Sequence, residues 1–114
     1  MKKLRLDSGV ETYSLPGGGV LRFNPADPAL HLRLERLQTQ TENLTGTVEE
    51  VDRQVKNLLN QVLGPGNDLD KALGGVSLFA VTQNGNTVLQ NLLDALTPIF
   101  QEGAERCAQN QERW

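Results

Sequence analysis

One cysteine, one histidine, one tryptophan, one tyrosine and three phenylalanines are all that 114 residues offer of the side chains that usually build reactive sites. Each shortage excludes something. A lone Cys107 cannot form an internal disulfide, so the chain reads as reduced, intracellular and cytoplasmic. Metal sites need three or four ligands. His31 has only Glu35 at i+4 and the distant Cys107 to join it, which is no recognisable spacing. His31 is therefore expected as a solvated surface residue, and Cys107, between Arg106 and Ala108, as an incidental thiol that no neighbour activates. No apolar run approaches the ~20 residues of a membrane span. The opening Met1-Lys2-Lys3-Leu4-Arg5 is positive but has no apolar stretch behind it, unlike a signal peptide. With 11 basic and 14 acidic residues mixed along the chain, no basic block suggests nucleic acid as a partner.

The acidic residues do not form an evident catalytic pair. Glu49 with Arg53, and Asp52 with Lys56, are i, i+4 pairs expected to decorate an exposed helix face. Asp68 and Asp70 read as capping residues ahead of a short helix. Nothing in the pattern supplies the pocket that would push two carboxyl pKa values apart. The expectation is a non-enzymatic protein with no cofactor.

What the chain does have is a 4-3 apolar repeat: Leu30, Leu34, Leu37, Thr41, Leu44, Val48, Val51, Val55, Leu58, Val62. This is the spacing of a coiled-coil seam. Placing Leu30, Leu37, Leu44, Val51 and Leu58 at d puts Leu34, Val48 and Val55 at a, the arrangement that favours two parallel strands. Hydrophobic residues make up 38% of the chain, a lean supply for a core, so burying this seam against another copy or a helical partner would relieve a marginal monomer. Leu59 and Leu63 widen the stripe towards its end. From Val51 to Leu63 the helix could equally pack on the C-terminal helix of its own chain.

The punctuation around the seam predicts a single, mainly α domain with a small N-terminal β-hairpin or three-stranded meander. Leu4-Arg5-Leu6, Val10–Leu15 and Val20–Phe23 are strand-like, separated by Asp7-Ser8-Gly9 and by Pro16-Gly17-Gly18-Gly19. The glycine run lacks the Lys and Ser/Thr of a phosphate loop and leads into a strand, so it reads as a hairpin turn. After residues 1–27, Asp27 as N-cap and Pro28 at N1 start a heptad helix. Gly64-Pro65-Gly66 stops it after Leu63. A helix over 28–63 would be about 54 Å long. It must therefore break, with Gly46 the natural place, or project from a domain only about 30 Å across. Shorter helices should fill 64–101, with Asn84-Gly85-Asn86 as a turn and Thr87 as a cap. Pro98 should kink or restart the last helix, and 102–114 should be a fraying polar tail.

Three segments, in order, resemble a known family. They are Leu6–Tyr13 leading through Gly17–Phe23 into Asn24-Pro25-Ala26-Asp27-Pro28; Leu63-Gly64-Pro65-Gly66 with Leu73–Phe79; and Gly85–Leu96. They are similar to small prophage proteins of Gram-positive gut bacteria that are grouped with phage tail assembly chaperones. The middle segments have Leu at two places where Phe is common in that family. The resemblance implies a protein that escorts the tape-measure protein, or another helical tail protein, and carries no catalytic residues. On the residues alone, a small coiled-coil structural or scaffold protein of a tail is the competing class. The seam residues Leu30, Leu34, Leu37, Leu44, Val48, Val51, Val55 and Leu58 are the expected partner-binding surface, for the client and for a homo-oligomer.

Overall fold

The computed structural model describes residues 1–111. Two short strands, β1 (Glu11–Ser14) and β2 (Val20–Phe23), form an antiparallel hairpin with Tyr13 opposite Leu21 and Thr12 opposite Arg22. The glycine run makes its turn, and Gly17 and Gly18 both adopt positive φ. Alternation then sorts the side chains. Leu21 and Phe23 are buried, while Val20 and Arg22 face outward. Leu4-Arg5-Leu6 forms no third strand. Asp7 Oδ1 accepts from Gly9 N, and Asn24 Nδ2 donates to the Ser8 carbonyl, so the turn is held against Asn24 and the arm leaves it unpaired.

Asp27 caps α1 (Pro28–Thr41) as expected, its carboxylate accepting from Ala29 N. The expected 28–63 helix is two helices. α1 ends at Thr41, and α2 runs Val48–Leu63. Gly46 has φ +129, which ends helical geometry, and Thr47 caps α2 by accepting from Glu50 N. The two helices pack as an antiparallel hairpin. At the open end of this hairpin, the Arg33 guanidinium donates twice to the Val62 carbonyl at the C-terminus of α2.

Energetics explain the fold-back. A straight helix would leave most of the seam in water. Folding back buries Leu30, Val55, Leu59 and Val62 in one core, each contributing about 1.5–3 kcal/mol. Losing a few helical residues at the turn costs less. Of the expected partner-binding residues, Leu30 and Val55 are thus interior. Leu34, Leu37, Leu44 and Val51 pack half-buried against the same core, and Leu58 is half-buried too. Val48 alone among them is largely exposed, at 65%. The seam mostly meets itself, and α2 packs on α1 rather than on the C-terminal helix.

α2 also organises the segment that follows. Lys56 is not on an exposed face. It is 3% exposed, and its Nζ donates to Asp70 Oδ1 at 2.6 Å and the Val76 carbonyl at 2.8 Å, with Asp52 Oδ2 at 3.0 Å. Burial works against the ammonium, but the bonds to Asp70 and Asp52 outweigh it and raise its pKa above the ordinary lysine value. Asp52 Oδ1 accepts from Leu78 N, and Asn60 Oδ1 from Leu69 N. These bonds seat α3 (Leu69–Ala72), capped by Asp68, and bury Leu69 and Leu78.

The last helix, α4, spans Val88–Gln111 without interruption. Thr87 and Gln90 cap its start reciprocally. Pro98 neither ends nor restarts it. Its exposed position lets water satisfy the carbonyl it frees at Asp94, which is also exposed, and Thr97 Oγ1 donates back to Leu93 O. The expected fraying tail is therefore helical through Gln111, and residues 112–114 lie outside the described ones. Gly103 allows this helix to cross directly beneath the Pro25–Ala26 peptide. The overall dimensions are 47 × 33 × 28 Å.

Candidate functional site

α1 and α4 lie side by side but not flush. The Asn24–Asp27 turn holds them together at one level. Gly103 abuts the Pro25 carbonyl, Cys107 Sγ donates to the Ala26 carbonyl at 2.9 Å, and His31 Nε2 donates to the Pro25 carbonyl at 2.7 Å. Since a carbonyl can only accept, that bond places the proton on Nε2. His31 is thus half-buried and anchored, not the freely solvated residue expected from sequence. Cys107 likewise sits half-buried at a helix contact, not in a loose tail.

Around this anchor the surfaces of α1 and α4 leave two adjoining hollows of about 310 and 560 Å³. Both share His31, Leu34 and Ala104, so they form one groove. Leu93, Thr97, Phe100, Ala104, Cys107 and Gln111 line its α4 wall. Their spacing is 4, 3, 4, 3, 4, a second heptad stripe shorter and more polar than the first. From Leu93 to Gln111 it covers about 27 Å along the helix. The α1 wall supplies Pro28, His31, Leu32, Leu34 and Glu35. Leu32 and Leu93 remain 48% and 40% exposed.

The floor is stiffened by a run of rings. Tyr13 stacks on Phe23 at 4.7 Å, Phe23 meets Phe100 edge-on at 5.8 Å, and Phe100 meets His31 at 6.5 Å. This run ties the hairpin to the groove wall. Glu35 is the charged lining residue, and Glu105 stands one turn from Gln101 on the same helix. The groove is therefore apolar, with Glu35 as the one carboxylate among its lining residues.

Among the expected partner-binding residues, only Leu34 lines this groove. The rest of the surface was missed because the α4 stripe mixes Thr97, Ala104, Cys107 and Gln111 with only two large apolar residues. Its regular spacing was the available signal. A second hollow, lined by Glu49, Asp52, Lys56, Asn60, Asp68 and Asp70 among others, is polar. Lys56 already bridges Asp52 and Asp70 there, so it serves to hold the loop. Among the described residues no group of three or more His, Cys, Asp or Glu is placed to hold a metal ion, and no helix is long and apolar enough to cross a membrane. No protein-family model, curated protein or solved structure matches the chain.

Proposed function

We propose that this chain is a non-enzymatic phage tail assembly chaperone that holds a helical segment of a tape-measure protein in the α1–α4 groove. The observation that carries this reading is the regular stripe on the open face of α4, set beside α1 with Leu34 and Phe100 at its base. A helix laid along it would complete a three-helix arrangement, and the ~27 Å of groove accommodates about 18 residues of client. The apolar lining favours a client helix with apolar residues at 4-3 spacing. The sequence resemblance described above supplies the tail-assembly context.

The test is co-expression with tape-measure fragments followed by co-purification. Leu93→Glu and Ala104→Glu each place a carboxylate in the groove without entering the core filled by Leu30, Leu59 and Leu92. Either change should abolish recovery of the client while circular dichroism stays unchanged. Undiminished recovery from both folded variants would rule the groove out. A chaperone should also be absent from purified particles. Stoichiometric presence there would favour a structural tail component instead.

A further inference from the structure

The two edges of the β-hairpin are not equivalent. Leu15 N bonds to Gly19 O, so in the antiparallel ladder Tyr13–Leu21 and Glu11–Phe23 are the hydrogen-bonded pairs. Thr12 and Arg22 therefore turn their backbone groups outward, on opposite edges. At Arg22 that edge is closed: Asn67 Oδ1 accepts from Arg22 N at 2.7 Å, and Asn67 Nδ2 donates to Arg22 O at 2.8 Å. At Thr12 nothing comparable exists among the described residues, and the edge is open to water. Six to eight residues earlier in the same chain lies an arm with strand-like alternation and no partner among the described residues, its Leu4 93% and Leu6 84% exposed.

We propose that the arm of one copy adds as a third strand to the β1 edge of a second copy, antiparallel, with Leu6 opposite Val10, Arg5 opposite Glu11 and Leu4 opposite Thr12. Charge selects this partner. Lys2, Lys3 and Arg5 against Asp7 give the first seven residues a net of +2 in a chain of net −3, so the rest stands at −5. The edge itself carries Glu11. In this register Arg5 faces Glu11 directly across the strands, the favourable arrangement for opposite charges. Leu6 covers Val10, which is 48% exposed in the single copy. Leu4 supplies the backbone groups that Thr12 lacks. The arm does not do this for its own strand, because the Ser8–Gly9 turn is tied to Asn24. Self-association then runs through the hairpin, and the heptad seam is free to fill the core.

Sedimentation of the full chain across a concentration range should show mass rising with concentration. The Thr12 amide should exchange with solvent more slowly as concentration rises. Leu4→Pro, which removes the N–H that would bond the Thr12 carbonyl and lies in a segment outside the core, should return the protein to a monomer with unchanged circular dichroism and leave Thr12 exchanging fast at every concentration. Glu11→Lys should weaken association about 2- to 5-fold, and adding Arg5→Glu should restore it. A monomer throughout, a Thr12 amide whose protection ignores concentration, assembly that survives Leu4→Pro, or a double variant that recovers nothing would each overturn the proposal. The groove plays no part in these measurements, so they stand or fall apart from the client-binding result.

Discussion

Gly103 lies so close to Pro25 that a Cβ built on it would sit 1.8 Å from the Pro25 carbonyl oxygen. The contact sets the level at which α4 crosses the turn before α1, and with it the width of the groove. Helix propensity and packing pull in opposite directions here. Alanine is better than glycine in a helix interior by about 1 kcal/mol, yet its methyl has nowhere to go but into backbone. Gly103→Ala should therefore destabilise the protein by about 1–3 kcal/mol in urea titration. A gain in stability would mean that α4 does not pack on Pro25.

Asn67 gives a second clean separation. Its side chain bonds both backbone groups of Arg22 and also the Gly64 carbonyl, fixing the Gly64–Asp68 loop to β2. Asn67→Asp keeps the acceptor and loses both donated bonds. Asn67→Ala loses all three. The second carboxylate oxygen of Asn67→Asp would also face the Arg22 and Gly64 carbonyl oxygens, so thermal unfolding should place wild type above both variants by about 1–3 kcal/mol. Equal stability of all three would show that water serves this edge equally well.

Lys56 should be irreplaceable by an apolar residue of similar length. Lys56→Met leaves Asp52 with a charge in a half-buried site and strips the donor from the Val76 carbonyl. A loss of about 2–4 kcal/mol is expected by chemical denaturation at neutral pH. Burial opposes the Lys56 ammonium but its bonds to Asp70 and Asp52 raise its pKa, so its contribution is complete below the ordinary lysine range and lost as pH rises above it, and the deficit should shrink there. A deficit independent of pH would mean that packing, not charge, is what Lys56 provides.

Tyr13 is the chain's only tyrosine, which makes its ionisation directly readable. Burial, then the hydrogen bond its hydroxyl donates to Glu11, then the charge of that carboxylate, push its pKa up to about 12. An unfolded tyrosine titrates near ~10. The neutral form is the one the fold favours, so this contribution to stability is complete below about pH 10 and lost as pH rises towards about 12. Phenolate absorbance should rise with a midpoint near 12 in the native protein. Glu11→Gln should lower that midpoint by removing the neighbouring charge, and a wild-type midpoint at the ordinary value would refute the burial.

The parts of this fold that were legible in sequence were set by single residues acting locally. Asp27, Asp68 and Thr87 each cap the helix they precede, and the glycines after Pro16 each make the turn their conformational freedom allows. The seam was legible as apolar but not as to what covers it. Its 4-3 spacing runs unbroken through Thr41, Leu44 and Val48 although the helix does not, because α1 and α2 face the same core from opposite directions. The break had its own signature in Gly46 followed by Thr47-Val48-Glu49-Glu50, the Ser/Thr-x-x-Glu pattern of a helix start. The groove was the least legible part. It exists only because Gly103 brings α4 against a turn 78 positions earlier, and no local pattern around either residue announces the other.

A β-ribbon with two open flanks can lengthen without limit, since each added strand offers a fresh flank to the next. Asn67 denies this one that freedom. Its amide occupies one flank in every copy, so growth from that side never begins. An arm accepted at Thr12 finds the far side already shut. One carboxamide placed forty-five residues downstream thus restricts any lengthening of the ribbon to its β1 side.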